Sequence, residues 1–288
     1  MIGVVLVGGF GTRLRPLTNQ TPKAMLPIAN RPFLEHQLEH LASHGVDRVI
    51  LACGYRPDAL RAHFGDRVQY VVEDEPLGTA GAIAHAARGI GETFVACNGD
   101  VLTDLDLGAL VALHRDRGAR LTLALHPVDD PSRYGVVETG GDDAVTRFVE
   151  KPPPGSAVAN TINAGTYVIE PEVLAGVPPG RAVSIEREIF PTLIGRGLYG
   201  QAQAGRWIDI GTPESYLAAN VQLAPPEGLV DPSARVEPGA RIATSVVGAR
   251  AHVGAGATVS GSVLLPGAVV PDGGIVENRV IDGSEPVW

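Results

Sequence analysis

The chain has 288 residues, is 44% hydrophobic and carries a formal charge of −9, from 23 basic and 32 acidic residues. That length suits about two domains with a core of ordinary size. The acidic balance and the lack of a long basic stripe argue against a polymeric nucleic acid as partner, and no run approaches the ~18 apolar residues of a membrane span.

In chain order, residues 2–7 predict a buried parallel strand that empties into Gly8-Gly9-Phe10-Gly11-Thr12-Arg13-Leu14. Further strands are predicted at 48–53, 68–72, 93–97, 121–125, 145–149 and 164–169, with helices near 33–44, 79–88, 106–117 and 213–222. This alternation predicts an α/β, Rossmann-like, mostly parallel sheet wrapped by helices, whose ligands gather beyond the carboxyl ends of the strands. Asn98-Gly99-Asp100, after the fourth of these strands, is expected to open into that crevice. The first apolar stretch is short and lacks a basic leader, so no signal peptide is predicted and the cytoplasm is the expected location. Cys53 and Cys97 fall in apolar runs and read as buried hydrophobes.

Ala224-Pro225-Pro226-Glu227-Gly228 breaks the pattern as a linker, which divides the chain into 1–224 and 225–288. Beyond it, Val230, Val236 and Ile242, then Val247, Val253 and Val259, then Leu264, Val270 and Val276 recur every six residues, with a five-residue step after each triplet. An aliphatic at every sixth position predicts about three coils of a short left-handed parallel β-helix. Its expected role is a cap or an oligomerisation surface, with a homo-oligomer as the assembly. Hexapeptide acyltransferases share such repeats, but His252 is the only histidine here.

Two lysines stand against twenty-one arginines, and both sit beside prolines, in Thr21-Pro22-Lys23-Ala24-Met25-Leu26-Pro27 and Phe148-Val149-Glu150-Lys151-Pro152. A compact ammonium follows a moving phosphate where a guanidinium holds one fixed geometry. Lys23 and Lys151 are therefore candidate phosphate ligands. The glycine loop points the same way, because glycines let backbone N–H groups approach a polyphosphate. It is neither a Walker loop, which needs Gly-Lys-Ser/Thr at its end, nor the dinucleotide fingerprint, which needs glycine where Leu14 stands. A glycine turn without a ligand is the alternative for Gly8, Gly9 and Gly11 alone.

The string from Gly8 to Thr18, followed by Pro22-Lys23-Ala24-Met25-Leu26-Pro27-Ile28, resembles the signature of the sugar-1-phosphate nucleotidylyltransferases. The likeness continues through Glu75-Pro76-Leu77-Gly78-Thr79-Ala80-Gly81, Asn98-Gly99-Asp100, Tyr134-Gly135-Val136-Val137, Glu150-Lys151-Pro152, Ile162-Asn163-Ala164-Gly165 and Trp207-Ile208-Asp209-Ile210-Gly211. Ser184-Ile185-Glu186-Arg187-Glu188-Ile189-Phe190-Pro191 makes it most similar to the mannose-1-phosphate guanylyltransferase branch.

The resemblance implies transfer of a nucleotidyl group from a nucleoside triphosphate to a sugar 1-phosphate, with GTP and mannose 1-phosphate as the preferred pair. Thymidylyl or uridylyl transfer to glucose 1-phosphate, and guanylyl transfer to a heptose or cyclitol 1-phosphate, are the alternatives. It implies Arg13 on the β and γ phosphates, Lys23 on the α-phosphate, Lys151 on the sugar phosphate, and Asp100 and Asp209 sharing a Mg2+. The nucleotide set is Leu6, Gly8, Gly9, Gly11, Thr12, Arg13, Lys23, Glu73, Pro76, Gly78 and Thr79; the sugar set is Gly135, Glu150, Lys151, Asn163 and Gly165. Glu73 stands where the thymidylyl branch has glutamine, and an ionised carboxylate can accept both N1–H and the 2-amino group of guanine. Against that, Glu73-Asp74-Glu75 reads equally as a solvated acidic loop, and Gly135 and Gly165 as turn residues; Asp209 as a residue merely preceding a capped helix is the weaker alternative, since capping there needs Thr212 and leaves Asp209 unexplained.

Two other function classes compete. His36-Gln37-Leu38-Glu39-His40 matches the inverted zinc-peptidase pattern, although Leu34, Leu38 and Leu41 form a stripe that leaves the histidines on another face. A non-catalytic regulatory relative is opposed by the joint presence of Arg13, Lys23, Asp100 and Asp209.

Overall fold

The computed structural model describes residues 1–54 and 57–288. They fall into two compact units, Met1–Gly9 with Gln37–Trp207, and Phe10–His36 with Ile208–Trp288. Among the described residues no helix is long and apolar enough to cross a membrane.

The first unit is built on a nine-stranded sheet. Its strands are β1 (Ile2–Leu6), β2 (Arg48–Cys53), β3 (Gln69–Val72), β4 (Phe94–Asn98), β5 (Leu121–Pro127), β6 (Gly135–Thr139), β7 (Val145–Glu150), β8 (Thr161–Ile169) and β9 (Leu198–Ala202). The order is β7-β6-β8-β4-β1-β2-β3, with β5 pairing β8 and β9. β3, β2, β1 and β4 run parallel, as does β9 beside β5. This is the predicted Rossmann-like α/β core, and its apolar strands are buried on both faces, with Val4 and Val5 fully inaccessible. β8 enters antiparallel to β4, β5 and β6. The strand order reverses between β1 and β4, and ligands of such sheets lie beyond the carboxyl ends at that switch point.

Two strands of this sheet, β6 and β9, and the helix Pro57–Phe64 were not expected. β9 has weak intrinsic preference because Gly200 interrupts it; a Cβ there would stand 2.8 Å from Leu125 Cδ1, so close packing on β5 selects the glycine. β6 opens on Gly135, which lies against the Phe148 ring. The helix Pro57–Phe64 buries only Leu60 and Phe64, too few apolar positions to mark a period.

In the second unit the helix Pro213–Leu223 starts on a capping box, with Thr212 and Ser215 bonding reciprocally and Pro213 in the first turn. After it the chain winds through three faces of short parallel strands. Val230, Val247, Leu264 and Ile281 stack in register on one face, Val236, Val253 and Val270 on the next, and Ile242, Val259 and Val276 on the third. The six-six-five spacing is therefore one β-helical coil. Val247, Val253, Val259 and Leu264 are fully buried at its axis. At one corner Ser262 N–H donates to Ser245 Oγ at 3.0 Å and Arg279 N–H to Ser262 Oγ at 3.1 Å, satisfying backbone groups that the short strands leave over.

Candidate active site

In the second unit the loop after β1 folds back on itself. Gly11 adopts φ +59°, its carbonyl accepts from Thr18 Oγ1 at 2.8 Å and from Leu14 N–H at 2.9 Å, and a Cβ on it would lie 2.9 Å from Thr18 Cγ2. Only glycine fits this left-handed, crowded position. The turn sets Arg13 on a short 3-10 segment and Lys23 on another, Lys23–Met25. Lys23 is 10% exposed and its Nζ lies 3.8 Å from Asp209 Oδ1. A Cβ at Gly211 would lie 2.6 Å from Arg13 Nη2 and 2.7 Å from Asp209 Oδ1, so guanidinium and carboxylate crowd one face of that glycine. Three of the sequence-predicted residues, Arg13, Lys23 and Asp209, thus converge within one unit. Asp209 does not cap the following helix, a task that Thr212 performs.

In the first unit the switch point carries Gly8, Gly9 and the turn Asn98-Gly99-Asp100. Gly99 N–H donates to the Leu6 carbonyl at 2.8 Å, and a Cβ on Gly99 would sit 2.4 Å from that oxygen, so the loops after β1 and β4 are pressed together. Glu73 follows β3, half-buried, with Oε2 accepting from Leu77 N–H at 2.9 Å, while Asp74 and Glu75 are exposed. The acidic run is therefore one anchored carboxylate and two solvated ones. Gly78 has φ +67° and packs on the Val183 carbonyl, 2.6 Å from where its Cβ would be. The Thr79 hydroxyl donates to Glu186 Oε2 at 2.7 Å and accepts from Ile185 N–H at 2.8 Å, so it is committed within the protein. Pro76 is exposed beside them.

The sugar set lies on the neighbouring strands β6, β7 and β8. Gly135 pairs with Glu150, and the absent Cβ of Gly135 leaves room for Glu150 Oε2, 2.9 Å from that point. Lys151, 63% exposed, holds φ +50° while its N–H bonds the Tyr134 carbonyl, and its Nζ lies 3.6 Å from Glu150 Oε1. A non-glycine residue in this region is held by its surroundings at an energetic cost, a feature common at ligand sites. Asn163 donates to Tyr167 Oη at 2.9 Å and accepts from Gly165 N–H at 3.0 Å across an irregularity in β8. Gly165, at φ +75°, packs on the Asn98 side chain.

Residues 2–225 match the Nucleotidyl transferase family. The chain belongs to that family. It is 45% identical over 232 residues to the mannose-1-phosphate guanylyltransferase of Mycobacterium tuberculosis, covering 76% of this chain and 64% of that protein. A mannose-1-phosphate guanyltransferase of Eremothecium gossypii is 40% identical over 234 residues, 77% of this chain and 64% of its own length. The chain thus spans less than two thirds of these relatives. The crystal structure of HddC from Yersinia pseudotuberculosis complexed with GMP-PN is 32% identical with a TM-score of 0.66, covering 77% of this chain and 98% of that one. A Bacillus anthracis structure at 24% identity and TM-score 0.70, covering 77% and 95%, shares the fold.

In this nucleotidyl transferase, sequence reasoning left some of the site unassigned. Trp207 Nε1–H donates to the Ala164 carbonyl at 2.9 Å, stacks on His126 with centroids 5.8 Å apart, and meets Tyr134 edge-on at 5.2 Å. These aromatics come from distant segments, and no local pattern connects them. Gln37 is another such residue. The peptidase reading does not gather its ligands: the His36 ring bonds the Ile28 carbonyl at 2.8 Å, and the His40 and His44 rings meet edge-on with centroids 4.7 Å apart.

The donors suit a hard divalent cation. No group of three or more His, Cys, Asp or Glu side chains is placed to hold a metal among the described residues. Mg2+ does not require one, since it takes one or two carboxylates and completes its shell with phosphate oxygens and water. Asp209 Oδ1 is a buried oxygen, 3.8 Å from Lys23 Nζ and 2.7 Å from where a Cβ on Gly211 would stand, so the missing side chain of Gly211 is what lets a carboxylate sit there among cations.

Proposed function

We propose that this chain transfers GMP from GTP to mannose 1-phosphate with Mg2+ as cofactor, releasing GDP-mannose and pyrophosphate. The observation that carries the reading is the meeting of Arg13 and Lys23 beside Asp209, two cations of different shape around one carboxylate. In a chain of net charge −9, such a local cluster is what a polyphosphate needs.

A sugar-phosphate oxygen attacks the α-phosphorus; a new P–O bond forms as the α–β bridging bond breaks, and pyrophosphate leaves with the electron pair. Two anions must meet, so catalysis rests on positioning and on cations that follow the developing charge. Lys23 holds the α-phosphate and Arg13 the β and γ phosphates. Asp100 and Asp209 are the proposed metal carboxylates; when bound, Mg2+ supplies neutralisation of phosphate oxygens. Lys151 holds the sugar phosphate, and Glu150 accepts from sugar hydroxyls beside Asn163 and the backbone of Gly135 and Gly165. Leu6, Gly8, Gly9, Gly11, Thr12, Pro76, Gly78 and Thr79 border the nucleotide. Glu73 reads guanine, a choice supported by the names of the relatives and the GMP-PN held by HddC. We place the enzyme in the cytoplasm as a homo-oligomer, with no nucleic acid or membrane partner.

The test mixes purified protein, Mg2+ and each pairing of GTP, dTTP, UTP, ATP and CTP with mannose, glucose, heptose and cyclitol 1-phosphates, and follows pyrophosphate. GTP with mannose 1-phosphate is expected to give the highest kcat/KM. A preference for another pair reassigns the substrates; tight nucleotide-sugar binding without turnover on any pair makes the chain a regulator.

A further inference from the structure

We infer that Gln37 is a positioning residue for Asp100, holding the turn that carries this carboxylate through a hydrogen bond to the Asn98 carbonyl. The inference rests on the reading of Asp100 as a metal ligand.

Gln37 occupies the helix Phe33–Ser43, three residues after Leu34 and four before Leu41, within the stripe that this helix buries. It is 6% exposed, a polar residue where a leucine would be expected. Its Nε2 donates to the Asn98 carbonyl at 2.7 Å. A carbonyl only accepts, so the amide orientation is fixed and Oε1 must point away. Oε1 has no hydrogen-bond partner among the described residues. Gln37 also lines a cavity of about 20 Å³ with Cys97, Thr103 and Thr166, roomy enough for about one water. Burying an amide costs desolvation that an apolar side chain of the same shape does not incur, even where a water in that cavity serves Oε1. Nε2 has two acceptors, the Cys97 sulfur at 3.6 Å, which is a weak one, and the Asn98 carbonyl, so the compensating gain lies at the carbonyl oxygen.

That atom belongs to the turn bearing Asp100, which is clamped on its other sides. Gly99 N–H is bonded to Leu6, with no room for a Cβ, and the Asn98 side chain packs on Gly165. The Asn98 carbonyl is the remaining handle on the peptide linking Asn98 to Gly99. Without the donor from Gln37 that peptide is held at its N–H end alone, by the bond from Gly99 to the Leu6 carbonyl, so its plane can tilt about that bond and a carboxylate one residue on shifts with it. Groups that orient a ligating carboxylate typically change metal affinity by about 10–100-fold when removed.

The test uses the full chain with saturating GTP and reads Mn2+ binding by electron paramagnetic resonance. Gln37→Met removes the donor at similar volume; Gln37→Leu removes it with a branched apolar side chain and serves if the first variant does not fold. About tenfold weaker Mn2+ binding is expected, with the melting temperature within a few degrees of the parent. The Mg2+ concentration for half-maximal turnover should rise by a like factor while the KM for sugar 1-phosphate changes less than about twofold. A folded variant that binds Mn2+ as the parent does overturns the inference. Asp100→Asn separates the two levels. If it abolishes Mn2+ binding while the Gln37 variants leave it intact, the positioning role alone fails; if it leaves binding intact, Asp100 is not a ligand and the inference falls with that reading.

Discussion

The Lys23 ammonium lies 3.8 Å from Oδ1 of Asp209 in a position only 10% exposed. A point charge in that space can turn between the carboxylate and a phosphate oxygen, whereas a guanidinium is larger, planar and fixed in its fork. Lys23→Arg, although it conserves charge, should lower kcat by about 100-fold, measured as the initial rate of pyrophosphate release. A rate near that of the parent removes Lys23 from the α-phosphate.

Gly211 offers a cleaner separation of activity from stability. Its φ is not in the left-handed region, and the atoms nearest a new Cβ are Arg13 Nη2 and the Asp209 carboxylate oxygens, all at the ends of side chains. Gly211→Ala should therefore displace the guanidinium and leave the backbone alone. The expected outcome is at least a roughly tenfold loss in kcat/KM for the triphosphate with an unchanged thermal unfolding midpoint. A large drop in the midpoint with unaltered kinetics contradicts it.

Much of this architecture was readable because it is periodic or local. The strand Ile2–Leu6 is an unbroken apolar run, and the 17-residue coil that stacks Val230 on Val247 and Leu264 is visible as spacing alone. What escaped was set by tertiary contact. Gly200 lies in a strand because Leu125 leaves no room for a side chain, and Gln37 matters through a carbonyl 61 positions away. The glycine loop disclosed its phosphate chemistry, yet nothing local distinguishes Glu73 from Asp74 and Glu75. The distinction is the Leu77 N–H that holds Glu73 alone.

Burial pushes the thiols of Cys53 and Cys97 up to about 12. At pH 8 the thiolate fraction is then on the order of 10⁻⁴, and both side chains are shielded from reagent. Ellman's reagent should find no reactive thiol in the native protein and two after denaturation. Rapid native labelling of either residue contradicts the buried reading of β2 or β4.

Glu170 follows β8 in a polar cluster: Thr93 Oγ1 donates to its Oε1 at 2.5 Å, and His114, bonded to Thr122 at 2.8 Å, reaches the same oxygen at 3.0 Å. Burial opposes ionisation of Glu170, but the Thr93 and His114 hydrogen bonds and the His114 charge outweigh it and hold the carboxyl below 4.5. A lowered folded value means the unfolded chain binds the proton first on acidification. The stabilisation is thus present above about pH 4.5 and is lost as pH falls through the folded value. Glu170→Gln should be less stable than the parent by roughly 1–2 kcal/mol at pH 7, with the gap narrowing below about pH 4.5, as followed by urea denaturation. A gap that widens on acidification gives the opposite sign and refutes the assignment.

The anchoring of Glu73 makes base selection testable with one atom. Leu77 N–H donates to Oε2, so that position must remain an acceptor. In Glu73→Gln the amide oxygen is obliged to take the Leu77 bond, and the NH2 group then points where Oε1 was. Guanine presents two adjacent donors there and meets a donor; thymine and uracil carry carbonyl acceptors that can use it. A site built to pair a polar edge rejects a mismatched one strongly, because a buried donor is left without an acceptor. The variant should lose about 100-fold or more in kcat/KM for GTP and gain relative preference for dTTP or UTP, measured by competition between nucleotides with mannose 1-phosphate. Undiminished GTP selectivity would show that Glu73 only braces the loop before the helix Gly78–Ala86.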